Sequence, residues 1–136
     1  MNKNWNYCML SSVCKEITSG GAAPQGEKYF VNGRYPFVRV IDMGRLQGEK
    51  TMSYTRDLLN DEGATKLRLF PRGTVLFTKS GASLLLNQRA ILNKPMYVVS
   101  HIGCLIPTDN VLSEWLFYWM KTIHVPPFCV GSIFKV

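Results

Sequence analysis

Two short apolar runs, about thirty residues apart, constrain this chain most. The first is Pro36-Phe37-Val38-Arg39-Val40-Ile41-Asp42-Met43. The second is Leu69-Phe70-Pro71-Arg72-Gly73-Thr74-Val75-Leu76-Phe77-Thr78-Lys79-Ser80-Gly81-Ala82. Each is rich in β-branched and aromatic residues, which fit a pleated, half-buried surface. Each is bounded by turn residues and carries arginine or lysine at the strand or its margin. Such runs read as strands. Together they predict a basic, strand-rich domain whose loops, rather than a catalytic cluster, do the work.

A chain of 136 residues forms one domain and can bury a core without disulfides or metal. Residues 5–17 read as a short helix or turn, with Leu10, Val13 and Ile17 at helical spacing. Asn32-Gly33 marks a turn before the strand over 36–43. Residues 44–54 are polar and contain glycine, the pattern of a long loop or mobile hairpin. A short helix is expected around 56–66, with Asn60 as a cap and Gly63 limiting it. Phe70-Pro71-Arg72-Gly73 reads as a type I turn launching a strand over 74–78. Further strands are expected near 84–86, 89–92, 95–99 and 102–106. Asp109 or Asn110 is placed to cap an apolar helix over 111–122, with Glu114 in its first turn and Lys121 in its last, both matching the helix dipole. Its centre, Trp-Leu-Phe-Tyr-Trp-Met, is apolar on every face, so the helix is either buried in its own core or meets a partner.

Sixteen Lys plus Arg against nine Asp plus Glu give a net charge of +7. The excess lies entirely before residue 95. Charge segregated in this way is either a solvated surface or a footprint for a polyanion. No apolar signal region opens the chain, and the longest apolar run, 115–120, is too short to span a bilayer. The expectation is a cytoplasmic protein with reduced thiols and no membrane association. Cys8, Cys14, Cys104 and Cys129, with His101 and His124, match no zinc spacing.

Several chemistries are excluded by what the residues lack. Residues 73–80 approach a P-loop, but Thr78 stands where its second glycine belongs and the strand falls inside the motif rather than before it. Cys104 with His101, or Cys129 with His124, has no nucleophile elbow and no orienting acid, which leaves a small Cys/His enzyme as a remote alternative. The carboxylates Asp42, Asp57, Asp61, Glu62 and Asp109 fall in caps and turns, with no pair marked for acid/base work. The Asn-Pro-Pro-aromatic signature of an adenine methyltransferase is absent, as is a glycine-rich loop for S-adenosylmethionine.

Five segments in order resemble the target recognition domain of type I restriction–modification specificity (S) subunits. They are the apolar turn and Gly-rich stretch over 10–24, the Pro-aromatic-aliphatic-Arg strand over 36–43, the Pro-x-Gly strand and Gly-Ala turn over 69–82, the Leu- and Tyr-bearing helix over 106–121, and the Gly-Ser stretch over 131–135. The resemblance covers nearly the whole chain. It implies an α+β fold: a compact, twisted β portion with a short N-terminal helix, a short middle helix and the apolar helix near 111–122. It implies one recognition domain over 1–136, without the long spacer helices and second recognition domain of such subunits. Where the family shows an Asn-Gln-like pair, this chain has Val99-Ser100-His101-Ile102. The implied function is non-catalytic reading of one half of a bipartite sequence in double-stranded DNA, in a bacterial or archaeal cytoplasm. The implied partners are methyltransferase (M) subunits and a restriction (R) subunit, to which S-adenosylmethionine, ATP and Mg would belong. A protein-interaction module that binds methyltransferase subunits without DNA is the alternative, and the 111–122 helix is a candidate for self-association.

The residues supply the matching donors. Lysine and arginine hold phosphates and set register, whereas Arg, Asn and Gln can pair with base edges. In the loop 44–56 the candidates are Arg45, Gln47, Lys50, Tyr54 and Arg56. In the stretch 79–94 they are Lys79, Ser80, Asn87, Gln88, Arg89 and Lys94, and Arg34 precedes the first strand. Asp42 is expected to anchor a turn or strand end rather than read a base, and Arg39 to be salt-bridged within the sheet.

Overall fold

The computed structural model describes residues 7–79 and 86–124. A five-stranded sheet runs in the order β1 (Cys14–Ser19), β9 (Ile102–Pro107), β6 (Val75–Thr78), β7 (Arg89–Leu92) and β3 (Thr51–Met52). A four-stranded sheet runs in the order β4 (Asp57–Leu59), β2 (Tyr35–Val38), β8 (Met96–Val98) and β5 (Leu69–Phe70). Most neighbours are antiparallel; β3 with β7 and β2 with β8 are parallel. Four α-helices, α1 (Leu10–Val13), α2 (Val40–Gly44), α3 (Asp61–Ala64) and α4 (Ser113–Lys121), and a 3-10 turn over Glu27–Tyr29 accompany the sheets among the described residues.

The five-stranded sheet is covered on both faces, which explains why β6, β7 and β9 read as continuous apolar runs. Alternate residues enter different cores. Leu76, Ala90, Leu92, Ile102, Cys104 and Ile106 meet the second sheet, where Phe37, Val38, Leu59, Phe70, Met96 and Val98 lie. Val75, Phe77, Ile91 and Leu105 instead meet Leu116, Phe117 and Met120 of α4.

The mixed α+β architecture agrees with expectation, but several boundaries differ. The N-terminal helix holds only one turn, and from Cys14 the chain joins β9, because ladder pairing outweighs a helix too short to offset its own nucleation. The strand expected over 36–43 stops at Val38 and turns into α2. The Asp42 carboxylate accepts from the Arg39 backbone N–H at 2.8 Å, closing the first turn of α2. The middle helix expected over 56–66 divides into β4 and α3, with Asn60 capping as expected by accepting from the Gly63 N–H at 3.0 Å. The turn before β6 is one residue later than expected: the Thr74 N–H donates to the Pro71 carbonyl, and Gly73 occupies the third position at φ +91°, the left-handed geometry of a type II turn.

Helix α4 begins at Ser113 with Leu112 at its N-cap, not with Asp109 or Asn110. Asp109 instead sits 3.4 Å from the Lys15 amine at the surface, and the Ser113 hydroxyl donates to the Gly73 carbonyl at 2.7 Å. The strands expected at 89–92, 95–99 and 102–106 are present, whereas residues 84–85 and the 131–135 segment lie outside the described residues.

Candidate nucleic-acid interface

The loop 44–56 leaves the second sheet after β2, supplies edge strand β3 to the first sheet, and returns to the second at β4. Its two ends are fastened by one buried carboxylate. Asp42 Oδ2 accepts from Arg39 N and Oδ1 accepts from Arg56 N at 2.9 Å. This is the anchoring role expected of Asp42. Arg39 pairs with Asp57 at 2.5 Å, across the β2–β4 ladder, as a structural residue. Arg56 donates to the same carboxylate at 3.1 Å. These two guanidiniums, Arg56 foremost, hold the Asp57 carboxyl below the usual carboxylate range.

At the tip, the Glu49 N–H donates to the Leu46 carbonyl at 3.0 Å. The two residues between them, Gln47 at φ +46° and Gly48 at φ +96°, are both left-handed, the signature of a type I′ turn. Leu46 packs against the inter-sheet core, whereas Arg45, Gln47 and Glu49 are exposed. Neither Arg45 nor Gln47 has a side-chain hydrogen bond or ion pair with any described residue. A cleft of about 520 Å³ is lined by Arg45, Gln47, Glu49, Tyr54 and Arg56. Tyr54 is 85% exposed, and the Lys94 amine lies 5.6 Å from its ring centre. A second cleft, of about 730 Å³, separates the turn from α4 and is lined by Gln47, Lys50, Gln88, Tyr118 and Lys121 among others. Lys50 is tied to Glu114 of α4 at 2.7 Å, which raises its pKa.

Asn87 and Arg89 serve a different purpose. The Asn87 amide donates to the Lys121 carbonyl at 3.0 Å. Arg89 is the clearest correction: only 3% exposed, it donates through Nε to the Met120 carbonyl at 3.0 Å, through Nη2 to Ile123 at 3.2 Å and through Nη1 to Gln88 at 2.9 Å. Its bonds to Met120 and Ile123 tie β7 to the end of α4, and its side chain also lines the second cleft. Burial lowers its pKa to about 10, so it remains charged at neutral pH.

Gln88 stays beside the tip, since a Cβ on Gly44 would lie 3.3 Å from its amide nitrogen. Lys79 follows β6, where its backbone N–H donates to the His101 carbonyl at 3.5 Å and it lines neither cleft, and Ser80 lies outside the described residues. Arg34 stands apart at the start of β2, bound to Asp61 at 2.8 Å and to the Tyr35 hydroxyl at 2.7 Å. Sequence reasoning missed Glu49, Tyr118 and Lys121 as cleft residues. Nothing local marks the last two, because the packing of α4 on β7 puts them there.

Burial pushes the Cys14 thiol up to about 11 and raises that of Cys104 further, as for core thiols. Among the described residues no cluster is arranged to hold a metal ion, and no helix is long and apolar enough to cross a membrane.

No family model matches the chain. It is 31% identical over 147 aligned positions to the Type I restriction enzyme MjaIX specificity subunit of Methanocaldococcus jannaschii, across 96% of this chain and 32% of that protein. Its fold matches the HsdS subunit from Thermoanaerobacter tengcongensis with a TM-score of 0.65 at 18% identity, covering 100% of this chain and 30% of that one. A second structure, described for complex assembly and conformational transition of the type I R-M system, matches with a TM-score of 0.64 at 17% identity, covering 98% and 31% respectively. The chain thus spans about a third of the length of the relatives it matches. Along almost its whole length this chain is similar in sequence to about a third of a type I restriction enzyme specificity subunit, and it shares its fold with the matching third of two solved structures from type I restriction–modification systems.

Proposed function

We propose that this chain is a non-catalytic module that reads one half of a bipartite target in double-stranded DNA. The observation that carries the reading is the tip of the loop 44–56. It presents donors with no partner among the described residues, on a frame held by Asp42 and Leu46, in a chain similar to a specificity subunit. Lysines and arginines around the clefts neutralise phosphates and fix register, and the tip meets the groove. In the same reading M and R subunits are the partners, S-adenosylmethionine, ATP and Mg reside in them, and the setting is a bacterial or archaeal cytoplasm. The part of α4 turned away from the second cleft, where Trp115 is 41% exposed, is the surface for self-association or for a neighbouring subunit.

Duplex binding measured against salt tests the proposal. About four phosphate contacts lower affinity roughly 100-fold between 50 and 200 mM salt. An affinity for M subunits with no affinity for DNA at low salt favours the protein-interaction module instead.

A further inference from the structure

We infer that the turn 44–48 reads bases rather than phosphates, with Arg45 set against guanine and Gln47 against adenine in the major groove. This rests on the DNA-reading function proposed above and assigns it to particular side chains.

Three observations point the same way. First, the tip has mixed charge. Arg45, Gln47 and Glu49 line one cleft, and Glu49, like the other two, is exposed without an ion pair among the described residues. A carboxylate beside a phosphate is repelled, whereas in the major groove it can accept from the cytosine amine. A guanidinium, an amide and a carboxylate together suit base edges better than a backbone cradle.

Second, Gln47 occupies a left-handed conformation at φ +46°, where glycine is the less strained choice. A residue kept there against backbone preference is a candidate for a side-chain function. Third, the tip is tied to the fold. Its turn is closed by the Leu46–Glu49 hydrogen bond, Leu46 packs on the core, and Asp42 fastens both loop ends. A preordered reader loses less conformational freedom on binding than a floppy one.

Residues two apart have Cα atoms at most about 7 Å apart, so Arg45 and Gln47 enter the same stretch of groove.

The test is selection by the full chain from a randomised duplex pool at low salt, followed by competition between defined duplexes. The wild-type chain is expected to enrich a guanine and an adenine at fixed positions of one half-site. Arg45→Ala should erase the guanine preference, a change of about 5- to 100-fold at one position. Replacing that guanine by 7-deazaguanine, which lacks the N7 acceptor, should reproduce the effect with wild-type protein. Gln47→Gly, which suits the turn, should keep the thermal midpoint while erasing the adenine preference. Wild-type binding without sequence preference, or variants that keep the wild-type preference, overturns the assignment while leaving DNA binding standing. Absence of salt-dependent duplex binding by the wild-type chain overturns the proposed function itself.

Discussion

The stretches 44–56 and 86–94 carry similar polar side chains, and the fold uses them in opposite ways. In 44–56 the backbone is fastened by Asp42 and Leu46, and Arg45 and Gln47 have no side-chain partner among the described residues. In 86–94 the side chains do the fastening: Asn87 and Arg89 hold the end of α4. Donor composition alone therefore does not distinguish a reader from a support. What separates them is whether open backbone carbonyls lie within reach, since a buried carbonyl without a donor is costly.

Breaking the support should have the largest effect. Arg89→Met removes three hydrogen bonds to backbone carbonyls and is expected to cost about 2–4 kcal/mol in urea unfolding. Because Trp115 and Trp119 ride on α4, tryptophan fluorescence should report the loss at its full size. Asp42→Ala comes next, at about 1–3 kcal/mol, since two backbone N–H groups lose their acceptor. It should also loosen the tip, with faster amide exchange over 44–50 as the readout.

How much was legible in the sequence follows from the same contrast. Strands β6, β7 and β9 were readable because burial on both faces leaves an apolar run between turn residues. Helix α2 was not, because Val40 and Ile41 favour a strand and the only sign of a helix start was Asp42 three residues after Arg39. The loop 44–56 was recognised as exposed and polar, and its tip is. Arg89 was misread because its partners, Met120 and Ile123, lie more than thirty residues away and meet it only when α4 packs on β7. The cap of α4 was misplaced because Ser113 is committed to the turn before β6, a tertiary contact with no local signal.

A smaller effect is expected from acid. The folded-state pKa of Asp57 is depressed by Arg56 and Arg39, so its contribution is fully present above about pH 4 and is lost as pH falls through the folded value. For a partly exposed pair this amounts to less than about 1 kcal/mol. Asp57→Asn should flatten that part of the stability–pH curve below pH 4 and leave the neutral region nearly parallel to wild type. Smallest of all for the fold is Arg45→Ala, within about 0.5 kcal/mol of wild type, as for an exposed side chain with no partner among the described residues.

The most direct test of the account compares these two arginines in DNA binding. Affinity for a duplex carrying the selected guanine and adenine is titrated against salt for the wild type, Arg45→Ala and Arg89→Met, at a temperature where all three are folded. The account predicts that Arg45→Ala weakens binding while Arg89→Met, once folded, matches the wild type in affinity and in salt slope. Equal binding by Arg45→Ala and the wild type, or a slope reduced by about one contact in Arg89→Met alone, would contradict it.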